Sequence, residues 1–369
     1  MAPRRKNNEN HFDFAIAGGG MLWSFNPSRD TSKIIRATYD DEDYVAFAEK
    51  ALRMWATNKF YSEFYHQTGW VQVVSEGSHA NIVKGPKDTM ISIGEMQERV
   101  RSREEPNLIA GEELRLNEDI GYIDCDLAVE AVAEEASRLG VTRVKKDVTK
   151  LRTEGGICLV EAADDCITAT TTVVAVGPWT PGLLERSQIA FPKDFFTVAG
   201  VGVATMSLSE DEFHELKAMP ILVTEGGEVI VSEKHKVLKM TTTGTFRIGH
   251  PDELVHLKSI DIGKNRAVLE KMLPQFTKRQ LDSWVCPDLM TPYQHPLVDY
   301  IPGNPQICLA VGGSYHSAKF LPNFGSMVVR LLRGQIDLDT PEGRLLKRWS
   351  WDRSTEKVAI HRSVVPKDS

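Results

Sequence analysis

The stretch Ile307-Cys308-Leu309-Ala310-Val311-Gly312-Gly313-Ser314-Tyr315-His316-Ser317-Ala318-Lys319-Phe320 decides how the rest of the chain is read. An apolar strand closes on a glycine pair, and a helix is expected to open after it. Glycines there let the backbone approach a flat or anionic ligand closely, and a helix N-terminus adds unpaired N–H groups and a positive dipole end. Lys319 would then stand in the first helical turn, where the dipole disfavours a cation. Two readings stay open: the lysine points to solvent, or it meets a negative charge drawn to the same place.

Outward from this stretch, 369 residues suffice for one large or two moderate domains, and 41% hydrophobic with 26% charged residues is an ordinary globular balance. A formal charge of -7 argues against nucleic acid or an anionic membrane surface as the main partner. Arg4-Arg5-Lys6 is the one basic run and falls in a tail, residues 1–10, expected to be disordered. No apolar run reaches the ~18 residues of a membrane span, and no signal-peptide core is seen, so a cytoplasmic protein is expected. The five cysteines, Cys125, Cys158, Cys166, Cys286 and Cys308, show no metal-ligand spacing and no disulfide framework. No metal site is expected.

Taken in order, residues 11–17 form a short strand pattern running into Gly18-Gly19-Gly20, as a dinucleotide-binding βαβ unit begins. The pattern then breaks off. The third glycine of GxGxxG falls on Trp23, and Phe25-Asn26-Pro27-Ser28-Arg29-Asp30 is turn chemistry, with no second strand and no ribose-binding acid. Residues 31–39 read as a helical start with Lys33 and Arg36 on one face. Tyr44, Phe47, Ala48, Ala51, Leu52 and Trp55 follow helical spacing with a core-facing stripe. Residues 69–74 read as a strand, and 81–100 and 112–116 as surface helices. Asp124 would cap a helix over 125–139 that ends at Gly140, and 141–144 would return as a strand. Three β-rich runs follow between 157 and 176, the last ending at Gly177, a ligand-facing position in doubly wound folds or an ordinary turn.

Between 195 and 249 short alternating strands suggest an antiparallel sheet in a second domain. There Lys239 lies between Leu238 and Met240, and alternation puts it on the opposite face, toward solvent or toward a cleft. A helix over 261–273 closes this domain.

Four segments, in this order and at these separations, resemble the FAD-dependent amine oxidases of the sarcosine oxidase and fructosyl amino acid oxidase (amadoriase) group. They are Asp30-Thr31-Ser32-Lys33-Ile34-Ile35-Arg36, the strand from Val173 to Trp179, Cys286-Pro287-Asp288-Leu289-Met290-Thr291-Pro292, and Gly312 through Phe320. The resemblance runs from about Thr31 to Leu332. It implies an α/β fold: a truncated Rossmann-like FAD-binding domain of the D-amino-acid-oxidase type at 11–75, 121–190 and 286–345, an antiparallel-sheet substrate domain at 76–120 and 191–285, and a tail at 346–369.

The resemblance also implies roles. Cys286 would tether the flavin through a thioether, raising its potential. Lys239 would hold a water near flavin N5 and favour oxygen reduction. Arg36 and Lys319 would clamp the substrate carboxylate, with His316 lining the site, and Gly18, Gly20, Lys33, Gly177, Gly313 and Ser314 would contact FAD. The implied reaction passes hydride from the carbon beside a neutral amine to flavin N5. The imine hydrolyses, and dioxygen reoxidises the flavin to give hydrogen peroxide. The partners implied are a small-molecule amine or amino-acid-derived substrate and dioxygen, acting on a monomer.

The chain departs from the group twice. Tyr315, Ser317 and Ala318 replace Gly, Gly and Phe, which points to a different substrate, such as a larger amine of secondary metabolism or a saccharopine-like or pipecolate-like compound. Only nine residues separate Gly20 from Asp30, where the group carries the rest of a helix, a second strand and its acid. A misjoined or flavin-free vestigial relative with a binding role is therefore the competing reading.

Overall fold

In the computed structural model the described residues are 11–18, 30–75, 85, 87–102, 104–256 and 262–353. Gly19, Gly20 and the tails at 1–10 and 354–369 lie outside them.

Two large sheets and one small one carry the chain. The larger has eight strands in the order Asp282–Met290, Thr197–Ser207, Val237–Arg247, Gly227–Ser232, Ile221–Val223, Trp70–Ser75, Glu112–Asn117 and Thr89–Ile91. It is antiparallel throughout except where Ile221–Val223 runs parallel to Trp70–Ser75. Alternation gives it two unlike faces. Val71, Val73, Leu114, Leu116, Leu222, Val229, Val231, Leu238 and Met240 all point one way, into a core covered by the helices Ile93–Val100, Glu210–Leu216 and Gly263–Met272. Each such aliphatic side chain removed from water contributes roughly 1.5–3 kcal/mol. The other face carries Cys286, Lys239, Glu228, Gln72 and Arg115.

The second sheet places Asn304–Val311 and His11–Gly18 parallel to, and on opposite sides of, the long strand Asp165–Ala175. Leu297–Ile301, Ile157–Ala162 and Lys150–Glu154 complete it. Among the described residues His11–Gly18 pairs along one edge only, and its Phe14 and Ile16 are 57% and 69% exposed. A third sheet joins Ser32–Ile35, Gly121–Asp124 and Tyr65–His66. The helix Glu42–Thr57 buries Tyr44, Phe47, Ala48, Ala51 and Trp55, the stripe its spacing predicts, and Asp41 caps it.

Several elements differ from the sequence reading. Ser32–Ile35 is a strand, not a helix start, because the β-branched pair Ile34-Ile35 finds a partner in Gly121–Asp124. Residues 112–116 are also strand: Leu114 and Leu116 alternate with Arg115 and Asn117, a period of 2. Of the expected helix at 81–100, residues 81–84 and 86 lie outside the described residues; among the rest, Thr89–Ile91 is strand and Ile93–Val100 is helix, opened by the Ser92/Glu95 capping box. Residues 141–144 form no strand and leave Val141 and Val144 exposed, since no described strand lies alongside to pair with them.

The sheets also cut across the expected domain limits. Trp70–Ser75 and the Cys286 strand both belong to the eight-stranded sheet. Leu346 and Trp349, placed in the tail by the sequence reading, are buried against the Glu42–Thr57 helix side of the molecule.

Candidate active site

Three parallel strands end in glycine at the same edge of the six-stranded sheet: Gly18, Gly177 one residue beyond Val176, and Gly312-Gly313. Gly18 has φ 144°, and a Cβ on it would stand 2.4 Å from the Ala175 carbonyl oxygen, so any side chain would push these two strands apart. Gly312 has φ 80°, and its Cβ would meet the Thr291 methyl at 2.5 Å. The Cys-to-Pro segment and the glycine segment are thus packed directly together.

The link is reinforced at Asp288. Its carboxylate accepts the backbone N–H of Leu289 at 2.8 Å and of Tyr315 at 2.5 Å, while Ser314 N–H donates to Leu289 O. Ser314 and Tyr315 are left-handed, with φ 47° and 61°, and the chain then makes a 3-10 turn at Ser317–Phe320 before the helix Leu321–Leu332. Lys319 therefore stands in that turn, ahead of the α-helix and not in its first turn as expected.

Where the glycine edge meets the polar face of the large sheet, a buried charge cluster forms. Lys239 is 1% exposed, and its ammonium donates to Asp30 Oδ2 and to Ser32 O, both at 2.6 Å. Lys33 joins the same carboxylate oxygen at 2.7 Å. Burial would raise the Asp30 carboxyl, but Lys239 and Lys33 outweigh it and hold it below its ordinary value. For Lys33 burial pulls the other way, and Asp30 keeps the ammonium above its ordinary range.

Cys286 lies beside these lysines, 3% exposed, and burial pushes its thiol up to about 11 against the pull of Lys33. Resting Cys286 is consequently a thiol, not a thiolate. Burial likewise pushes the Cys125 thiol up to about 12, against the pull of Lys33.

A second group surrounds the Tyr39 ring. The Arg36 guanidinium lies 5.1 Å from its centroid and the Lys319 ammonium 5.0 Å, with Lys319 Nζ donating to Tyr39 OH at 2.8 Å. Arg36 also donates to Thr38, through both its carbonyl and its hydroxyl. Tyr39 OH sits 3.2 Å from His316 Nδ1, and His316 Nε2 lies 2.8 Å from Gln294 O. A carbonyl only accepts, so Nε2 carries the hydrogen, Nδ1 accepts from Tyr39, and Tyr39 oxygen is left to receive Lys319.

Lys319 is 4% exposed, and no carboxylate forms an ion pair with it or with Arg36 among the described residues. Burial first, and Arg36 second, hold its ammonium well below the ordinary lysine range. Two cations converge on one ring with no acid in contact.

The structure thus brings together Lys33, Arg36, Lys239, Cys286, Gly313, Ser314, His316 and Lys319, residues spread over nearly 290 positions of chain. Gly18 and Gly177 stand at the glycine edge, and Gly20 lies outside the described residues. Sequence reasoning missed three members. Asp30 was quoted only as part of a motif, yet it holds both lysines. Tyr39 follows Arg36 by three residues and carries both cations. Glu228 shares the sheet face with Lys239, a position that alternation from Val229 and Val231 would have given.

These residues fit a flavin dinucleotide. The glycine-ended strands admit close backbone approach, and the buried Asp30 Oδ1, Ser32 Oγ and Ser317 Oγ have no partner among the described residues and can serve a bound polar ligand.

Comparison with known proteins gives the same direction. L-saccharopine oxidase of Schizosaccharomyces pombe is 24% identical, over 91% of this chain and 86% of that protein. The structure of a thermally stable fructosyl peptide oxidase mutant superimposes with a TM-score of 0.75 at 19% identity, covering 93% of this chain and 87% of the other. An Amadoriase I mutant from Aspergillus fumigatus does so with a TM-score of 0.75 at 18% identity, over 96% and 90%. The fold expected from the motifs, a mixed α/β fold of the D-amino-acid-oxidase type, is therefore the fold observed. The model of the DAO family, FAD dependent oxidoreductases, matches residues 22–331, and the chain belongs to that family.

Proposed function

We propose that the protein is an FAD-dependent amine oxidase acting on the CH–NH bond of a secondary amine or N-substituted amino acid, with dioxygen as acceptor. The observation that carries this reading is the pair of cations on Tyr39. A buried lysine beside an arginine, with no acid in contact, is costly unless an anion arrives, and a substrate carboxylate is such an anion. The related proteins add support, since their names are those of oxidases of saccharopine and of fructosyl peptides.

In this reading bound FAD would supply the hydride acceptor and the electron path to dioxygen, the products being imine and hydrogen peroxide. The chain's own residues bind, orient and set charge. Arg36 and Lys319 hold the carboxylate and so fix which carbon faces the reactive centre. Tyr39 and His316 keep Lys319 in place. Lys239, anchored by Asp30 and Ser32 O, presents a fixed positive charge where oxygen is reduced. Lys33 shares that anchor. Cys286 is the residue placed to tether the cofactor, and the glycine edge with Gly177, Gly313 and Ser314 holds its flat and pyrophosphate parts. The protein works as a monomer on a small amine.

The test is the visible spectrum of the purified protein, followed by spectra of the acid-precipitated pellet and its supernatant. Yellow colour retained in the pellet is expected and supports the Cys286 link. Colour in the supernatant removes the tether and leaves the oxidase. A protein that stays colourless after incubation with FAD overturns the proposal.

A further inference from the structure

One charged group in this site has no task in the reading above. Glu228, on the strand Gly227–Ser232, pairs with Thr241 and so stands on the same sheet face as Lys239, two residues along the neighbouring strand, about 7 Å away. It is half-buried, and among the described residues no hydrogen bond or ion pair holds its carboxylate. The charges around it are Lys239 from Val237–Arg247, Lys33 from Ser32–Ile35, Asp30 and Arg36 on either side of that strand, and Lys319 from the Ser317–Phe320 turn. Lys239 and Lys33 already share the Asp30 carboxylate, so Glu228 is not their direct partner.

An ionised Glu228, whose charge reaches Arg36 and Lys319 without contacting them, constrains what those two cations can hold. A ligand offering only a carboxylate would set a second negative charge beside the first. A ligand whose carboxylate has an ammonium next to it satisfies both the cations and the acid, and an unpaired carboxylate is the group that would receive it.

We propose that Glu228 is a specificity-determining residue: it takes the ammonium of a zwitterionic substrate, an α-amino or N-alkyl-α-amino acid, whose carboxylate is held by Arg36 and Lys319. The assignment rests on the carboxylate clamp proposed above.

Two isosteric probes test it on the purified flavoprotein: N,N-dimethylglycine, a zwitterion, and 3-methylbutanoate, which has the same shape without the nitrogen charge. Dissociation constants are read from the perturbed visible spectrum and, independently, by calorimetry. Wild type is expected to bind dimethylglycine at least about tenfold more tightly. Glu228→Gln should weaken dimethylglycine and tighten 3-methylbutanoate, bringing the ratio to about one or below, and Glu228→Asp should restore the preference. Burial holds the Glu228 carboxyl above its ordinary value, against the pull of Lys239 and Lys33, so in wild type the preference is present at higher pH and is lost, as pH falls, before an exposed glutamate would protonate. A merely structural role for Glu228 would change both constants in the same direction. Equal binding of the two probes by wild type, or an unchanged ratio in Glu228→Gln, overturns the assignment. Binding of 3-methylbutanoate that disappears in Arg36→Ala upholds the clamp whatever Glu228 does. Binding of neither probe by wild type overturns the clamp and the assignment with it.

Discussion

The eight-stranded and six-stranded sheets meet at the site but are finished to different degrees. The first is covered by helices on its core face and lined with buried, hydrogen-bonded charge on the other. The second ends at His11–Gly18, a strand with one described neighbour and an apolar pair, Phe14 and Ile16, facing outward. In dinucleotide-binding units the strand after the glycine turn adds a parallel neighbour and an acid for the ribose, and only nine residues separate Gly20 from Asp30 here. The contrast teaches where cofactor affinity has to come from. On the proposed reading, the residues assigned to the reactive end of the flavin lie in the described structure, whereas the short Gly20-to-Asp30 spacing leaves fewer residues for its adenosine end, so the proposed link at Cys286 would have more to contribute than in a full-length unit.

The largest effect that would sharpen this contrast is expected at Lys239. Lys239→Met should slow reoxidation of the reduced protein by dioxygen by about 10²–10³-fold while anaerobic reduction by substrate stays mostly intact. Stopped-flow measurement of the two half-reactions decides it, and equal losses in both would remove Lys239 from the oxygen step.

Next in size is a pair of truncations that compares the sheets directly. Leu238→Ala, in the core of the complete sheet, should cost about 3 kcal/mol in denaturant unfolding, whereas Ile16→Ala at the open strand should cost less than about 0.5 kcal/mol. A large loss at Ile16 would show that its face is covered in solution.

Arg36→Ala should raise the Michaelis constant about ten- to a hundredfold with little change in flavin content. An unchanged constant would take Arg36 out of the clamp.

The last effect, the smallest over any single pH unit, concerns pH. Trp349 Nε1 donates to Tyr44 oxygen, so Tyr44 O–H in turn donates to His295 Nδ1 at 2.7 Å, and burial lowers this imidazole to about 3. The native state keeps His295 neutral while the unfolded chain takes up a proton below its ordinary 6.5. Stability therefore falls as pH drops from about 6.5 toward 3, by at most about 1.4 kcal/mol per unit from this group. His295→Asn should make the acid limb of the stability curve shallower, and parallel limbs would refute the assignment.

Much of the frame was legible before any coordinates. Helical spacing from Tyr44 to Trp55 and the alternation around Lys239 named the buried faces correctly, because each depends on a short-range period. The motifs around Cys286 and Gly312 pointed to one site, and Thr291 does pack against Gly312. Legibility failed where a partner strand decided the outcome. Ser32–Ile35 became a strand by pairing with Gly121–Asp124, and residues 141–144, with equal strand propensity, remained irregular for want of a described neighbour.

The sequence by itself determined the fold family, the residue types at the proposed site and the short Gly20-to-Asp30 spacing, since these are written in contiguous segments. Only the tertiary structure decided that Asp30 holds Lys239 across 209 positions, that Tyr39 joins Arg36 to Lys319, and that Glu228 has no hydrogen-bond or ion-pair partner among the described residues. The reason is register and long-range packing. A slip of one residue would turn Glu228 or Lys239 to the other face of the sheet, whereas Asp30, Arg36, Tyr39 and Lys319 lie off the strands and meet only through the packing of distant segments.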